Sequence, residues 1–305
     1  PAQTMPKRQT ASFLIRTFKE AGIRPDPRRG QNFLVDLNLL KILVDEAAVG
    51  PRDVVLEVGT GLGSLTALLA QRAAAVVTVE IDRNLQQLAS EQLVDFNNVT
   101  MLCQDALKNK NNLHSNLMEA VRNELSKGPD RTFRLAANLP YCIATPVISN
   151  LLSTDISPVS MTVTIQKELA DRIVAQPNSK DYNALSIWLQ SQCRTQILRV
   201  MPPTVFWPRP KVHSAIVQIV LDPEKRDRIP DRKFFHSFVR SMFLHRRKFL
   251  RGVMVSAFKE SLSKPDVDHI LERFRLGPET RAEQLDVETM LALSEAARHE
   301  TLSKP

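Results

Sequence analysis

Asp53 to Val58 is an apolar run broken only by acids, and it leads directly into Gly59-Thr60-Gly61-Leu62-Gly63-Ser64. A helical stretch over 65–72 follows. A strand buried on both faces reads as such a run. Strand, turn and helix in immediate succession open a parallel α/β sheet. The turn constrains the fold further, because backbone N–H groups and a helix N-terminus come close to a ligand only where side chains are missing. The chain has nine glycines, and three of them fall within these five positions. The spacing is G-x-G-x-G, not the G-x-G-x-x-G of dinucleotide folds, so the turn alone leaves its ligand open.

The strands that follow narrow the ligand. Ala75 to Val79 ends in Glu80-Ile81-Asp82, and an acid at that edge can accept both hydroxyls of a ribose. Val99 to Cys103 ends in Gln104-Asp105-Ala106, where a carboxylate can accept from an adenine amino group. Phe133 to Ala137 ends in Asn138-Leu139-Pro140-Tyr141. There the Asn138 side-chain oxygen can accept one hydrogen bond from a planar amine. The Leu139 carbonyl can accept a second, since Pro140 biases its predecessor to an extended conformation. Tyr141 offers a flat face for a heterocycle. Taken singly, each acid is more simply a polar strand end, and N-x-P-Y is a polar turn. Glycines, Glu, Asp and Asn at successive strand ends form a constellation that chance does not supply easily.

Three further runs, Met161 to Ile165, Gln196 to Met201 and Ser214 to Leu221, bring the expected strands to seven. Pro202 to Lys211 is a proline-rich loop in which Phe206 is a candidate for stacking on a base. After Asp222 only helical periods appear: 232–243, 246–258, 265–274 and 287–298. The expected organisation is a basic extension with a helix capped at Gly22 (1–27), an α/β domain (28–222) and an all-helical domain (223–305). The net charge is +8, yet residues 1–31 alone carry +5 and residues 225–251 carry +8, so the rest of the chain is net acidic. Two basic segments on an acidic body point to a polyanion, most often nucleic acid. Three distant cysteines without a C-x-x-C pair argue against a disulfide framework or a metal site and for a reducing cytoplasm. No apolar run is long enough for a bilayer, so no membrane partner is expected.

Jointly, Gly30-Gln31-Asn32-Phe33-Leu34, Glu57 to Thr66, Glu80-Ile81-Asp82, Gln104-Asp105-Ala106, Asn138 to Tyr141, Gln166-Lys167-Glu168, Phe206 to Ala215 and Arg246-Arg247-Lys248 resemble one family. It is the KsgA-type small-subunit ribosomal RNA adenine dimethyltransferases, relatives of the erythromycin-resistance ribosomal RNA methyltransferases. The resemblance covers roughly 28–291. It implies a Rossmann-like, seven-stranded, mostly parallel methyltransferase sheet with a small helical domain, S-adenosylmethionine as methyl donor without a metal, and a monomer acting on small-subunit ribosomal RNA or the assembling subunit. By position it implies Gln31, Asn32, Leu34, Gly59, Gly61, Glu80, Ile81, Asp105, Ala106 and Asn138 around the cofactor. Asn138, Leu139, Pro140 and Tyr141 would act at the target N6, and Tyr141, Phe206, Arg246, Arg247 and Lys248 would hold RNA. The implied product is N6-dimethylation of two adjacent adenosines. A large-subunit adenine methyltransferase and a non-catalytic assembly or transcription factor on the same fold are the alternatives. Thr60, Cys142, Ala144, Asn183 and His213 depart from the usual pattern, and the helix before Arg24 has no clear family counterpart.

Overall fold

In the computed structural model, residues 10–26, 29–245 and 247–303 are described. The strands are β1 (Phe33–Leu34), β2 (Asp53–Val58), β3 (Ala75–Glu80), β4 (Val99–Cys103), β5 (Leu107–Asn109), β6 (Asn112–Leu113), β7 (Thr132–Asn138), β8 (Ser160–Gln166), β9 (Cys193–Met201), β10 (Phe206–Trp207) and β11 (Ser214–Leu221). Seven of them form one sheet in the order β4-β3-β2-β7-β8-β11-β9. β4, β3, β2, β7 and β8 run parallel, and β11 returns antiparallel to β8. Every residue of β2 and β3 is buried, as expected for strands covered on both faces. The seven strands expected from the sequence are these seven: β2, β4 and β11 keep the expected ends, and the other four are longer by one to three residues at one or both ends. The fold is the expected Rossmann-like α/β sheet accompanied by a helical C-terminal region.

Two small pairings were not legible. β1 and β10 form a two-residue ribbon, Phe33 opposite Trp207 and Leu34 opposite Phe206, and β5 and β6 form a short hairpin. Runs of two or three residues carry no readable period.

The helices are α1 (Ala11–Glu20), α2 (Leu37–Glu46), α3 (Ser64–Ala70), α4 (Arg83–Gln92), α5 (Ser115–Leu125), α6 (Ala144–Leu151), α7 (Lys167–Val174), α8 (Ala184–Gln190), α9 (Pro223–Asp227), α10 (Arg232–Met242), α11 (Leu250–Ala257), α12 (Lys264–Arg273) and α13 (Val287–Leu302). Local chemistry sets their ends. Asp36, Asp82, Asp231 and Asp286 accept backbone N–H groups at the starts of α2, α4, α10 and α13. α1 closes on Gly22 at φ +66°, with Gly22 N–H donating to Lys19 O and Ile23 N–H to Phe18 O. That is the pattern of a helix ended by a left-handed residue. No helix among the described residues is long and apolar enough to cross a membrane.

The contacts divide the chain into two compact units, 1–170 with 196–220, and 171–195 with 221–305. The sequence reading expected a single crossing near 222–230. The extra excursion has a packing cause. Within the second unit Trp188 is 1% exposed and stacks on His236 at 4.3 Å, and Tyr182 donates to Leu285 O at 2.9 Å. These large side chains bind 171–195 to the later helices.

Candidate active site

In the order of the sheet, β2 has β3 and β4 on one side and β7 and β8 on the other. The crevice at the carboxyl ends of β2 and β7 is therefore the place where such a sheet takes a ligand. Two cavities lie there and share Arg29, Gly59, Glu80, Ile81 and Pro140. The first continues over Gln31, Asn32, Phe33, Leu34, Glu57, Gly61, Leu62 and Asn138. The second continues over Gln104, Asp105, Ala106, Cys142 and Ile143.

The glycine turn closes against the β7 end. Gly59 has φ +89°, and a Cβ there would stand 3.2 Å from the Pro140 ring. Gly61 has φ +56°, and its Cβ would stand 3.3 Å from the Phe33 ring. Both positions need glycine for conformation and for room. Glu80, only 6% exposed, ties the turn to β3: one oxygen accepts from Gly61 N–H and the other from Asp82 N–H, each at 3.0 Å. Burial pushes its carboxyl up, these two backbone hydrogen bonds oppose the rise, and Asp82 beside it adds to it.

Glu57 is hidden in the sequence, because a lone acid inside an apolar run reads as strand. It is 1% exposed, and burial pushes its carboxyl up to about 8. One oxygen accepts from Thr66 at 2.6 Å and Thr78 at 2.7 Å, while Oε1 has no partner. Thr60 lies 2.6 Å from Thr78 Oγ1. Since Thr78 gives its proton to Glu57, Thr60 is the donor to Thr78. The departure at Thr60 thus adds a hydroxyl to the chain leading to Glu57.

Over the opposite wall lies the segment 29–34. Asn138 Nδ2 donates to Asn32 O at 2.9 Å, and Asn32 Nδ2 donates to Gly30 O at 3.2 Å. The first bond fixes the amide of Asn138, leaving its Oδ1 buried as an acceptor without a partner. Leu139 N–H donates to Thr164 O at 3.1 Å, anchoring the turn on β8. The Tyr141 hydroxyl lies 2.5 Å from Ser214 Oγ, which fixes the ring. Burial raises its pKa and the Ser214 hydrogen bond opposes that rise, so the phenol is neutral at physiological pH. Asp105 accepts from Leu107 N–H at 2.9 Å, and Ala106 is buried beside it.

Buried polar atoms without partners that line a cavity are sites for a polar ligand or an ordered water. Gln31 Nε2, Glu57 Oε1 and Asn138 Oδ1 belong to residues of the first cavity, and Gln104 Nε2 to one of the second. Together with the side-chain-free cradle at Gly59 and Gly61, they suit a ligand with amine and carbonyl or carboxylate groups at one end and a heterocycle at the other. An S-adenosylmethionine molecule meets that description. Glu80 and Ile81 stand where the two cavities meet, and Asp105 and Ala106 line the second.

Three sequence expectations change. Phe206 is 3% exposed and packs inward with Leu34, Leu39 and Leu40, so it presents no face for base stacking. Its place opposite Leu34 in the ribbon turns it to the core. Helix α11 starts at Leu250, not 246, so exposed Arg247 and Lys248 stand in the turn before it, and Arg246 lies outside the described residues. The helical period over 246–258 also predicts Phe249 and Leu250 facing the core; Leu250 is buried, but Phe249 is 43% exposed with the Arg281 guanidinium over its ring at 5.5 Å. Arg29, unassigned from sequence, lines both cavities and pairs with Asp82 at 3.1 Å.

Comparison with known proteins agrees with this geometry. Residues 25–298 match the family described as Ribosomal RNA adenine dimethylase. A Ribosomal RNA small subunit methyltransferase A of Clostridium botulinum is 38% identical over 266 residues, 87% of this chain and 91% of that protein. One of Streptococcus sanguinis is 39% identical over 274 residues, 90% of this chain and 92% of that protein. Among solved structures, a dimethyladenosine transferase from Plasmodium falciparum superposes with a TM-score of 0.70 at 23% identity, covering 87% of this chain and 97% of that one. The 23S rRNA methyltransferase ErmE gives 0.59 at 21% identity, over 87% and 99%. At those identities the two structures speak to the fold alone. The family match over most of the chain, with the cradle and the strand-end residues in place, makes this protein a member of the ribosomal RNA adenine dimethylase family.

Proposed function

We propose that this protein dimethylates N6 of two adjacent adenosines in a hairpin of small-subunit ribosomal RNA, in the cytoplasm, on the RNA or the assembling subunit. The observation that carries the reading is the buried, unpartnered Oδ1 of Asn138 at the end of β7, between the glycine cradle and Tyr141. S-adenosylmethionine, when bound, supplies an electrophilic methyl group.

The residues of the chain do the rest by positioning. An exocyclic adenine amine is a weak nucleophile because its lone pair is delocalised into the ring. Asn138 Oδ1 and the Leu139 carbonyl accept its two hydrogens, which favours a more tetrahedral nitrogen and aims the lone pair. Tyr141, its hydroxyl held by Ser214, stacks on a base taken out of its helix. Glu80 takes the ribose hydroxyls of the cofactor, and Asp105 its adenine amine. Arg246, Arg247 and Lys248 are assigned to RNA phosphates.

Methyl transfer from tritiated S-adenosylmethionine tests the reading on two substrates, assembled small-subunit particles and naked large-subunit RNA. Label recovered as dimethyladenosine from the particle is expected. Label only in large-subunit RNA would reassign the substrate, and no label in either would leave an assembly factor that kept the fold.

A further inference from the structure

Helix α1 lies outside the family match, which begins at residue 25, yet it is not a loose appendage. Leu14 is fully buried and Phe18 is 2% exposed. Their neighbours are not core residues remote from the chemistry. They form one cluster with Leu62 of the glycine turn, Leu85 of α4, Phe33 of β1 and Trp207 of β10. Phe18 meets the Phe33 ring edge-on at 5.2 Å and the Trp207 ring at 5.0 Å. Phe33, Leu62 and Leu85 also line the first cavity.

The ribbon that Phe18 presses on is weak by itself. Two residues per strand, extended by one bond from Val35 N–H to Val205 O at 2.9 Å, do not make an independently stable pairing. Phe33 is held between Phe18 on one side and Gly61 on the other. Its neighbour Asn32 supplies the carbonyl that orients Asn138. A shift of the ribbon would therefore open the cavity wall and release the Asn138 amide together.

We propose that α1 is a clamp that holds the β1–β10 ribbon closed over the amino-acid half of the cofactor site, with Phe18 as the positioning residue. The proposal deepens the cofactor reading given above and rests on it. The closed fraction multiplies the apparent affinity, so a clamp that fails nine times in ten weakens binding about tenfold.

The test uses the full chain and S-adenosylhomocysteine, with affinity measured by calorimetry and backbone amide exchange by NMR. Phe18→Ala should weaken S-adenosylhomocysteine binding about tenfold, speed exchange of the Val35 amide, and raise KM for S-adenosylmethionine more than it lowers kcat. Phe18→Leu, which refills most of the space, should recover most of the affinity. It also serves as the readable variant if Phe18→Ala does not fold. Faster exchange at Val35 with unchanged affinity would overturn the clamp, as would lost affinity with the Val35 amide still protected. Failure of the unaltered protein to bind S-adenosylhomocysteine would instead overturn the cofactor reading itself.

Discussion

Asn138 divides its amide: its nitrogen is committed to Asn32 O, while its buried oxygen has no partner and is the acceptor proposed above for the reacting amine. Asn138→Ala should lower the single-turnover methylation rate by about 10²-fold, the scale of losing one preorganised polar group. RNA affinity, dominated by phosphates elsewhere, should persist. A near-normal rate at saturating cofactor would remove Asn138 from the chemistry. Tyr141→Phe keeps the ring and loses only the tie to Ser214, so it should retain most activity, whereas Tyr141→Ala forfeits a stacking platform worth about 1–3 kcal/mol. Equal losses in the two would assign the work to the hydroxyl. The place of Asn138, Glu80 and Asp105 beside the cavities was legible because polar residues at successive strand ends fall on one edge of a parallel sheet. Phe206 was misread because the inward or outward phase of a two-residue strand depends on its partner, Leu34, which lies far away in sequence.

Among the elements, the segment 29–34 depends most on a single residue. Gly30 sits at φ +65°, and a Cβ there would come within 2.8 Å of the Tyr141 backbone nitrogen. Gly30→Ala adds a left-handed penalty of about 1–2 kcal/mol to that collision. It should lower the melting temperature and weaken S-adenosylhomocysteine binding together. An unchanged melting curve would show that the segment is not packed on the β7 turn. Helix α4 escaped the sequence reading because its buried stripe is thin: Leu85 and Ala89 among Asn, Gln, Ser and Glu. Its signal was the cap, Asp82, which accepts from Asn84 and Leu85 N–H. Asn183, which departs from a usual glycine, turns out to be another cap, opening α8 with φ −158°, where no glycine is required.

For the whole molecule, one buried carboxyl and one exposed pair of cations give testable responses to pH and salt. The Glu57 carboxyl rises from 4.5 to about 8 on burial. Between those values the folded protein holds a proton that the unfolded chain has lost, so this group's contribution makes stability fall as pH rises through the window. Below it both states are protonated and the dependence vanishes. Glu57→Gln should flatten the melting temperature between about pH 5 and 8; a curve with the original slope would place the dependence in other groups. Arg247 and Lys248 are exposed, whereas Arg251 is paired with Asp268 at 2.5 Å. Neutralising Arg247 and Lys248 should lower the salt slope of RNA binding by about 1.5 units and leave cofactor affinity alone. The same slope in the variant would make them a solvated surface. The sheet and the helical tail were legible at this scale because buried parallel strands and amphipathic helices have different periods. The membership of 171–195 was not, since nothing in its own pattern says which unit Tyr182 and Trp188 will fill.

The contact between Phe18 and Trp207 also has a consequence for the order in which the chain is made. Trp207 leaves the ribosome roughly 190 residues after Phe18, about 10–40 s later at ordinary elongation speeds. During that interval α1 has no ribbon to press on. A growing chain can lay down β2, β3 and the glycine turn without that clamp, so under the clamp proposed above its hold on a methyl donor tightens about tenfold only once it has been read past β10.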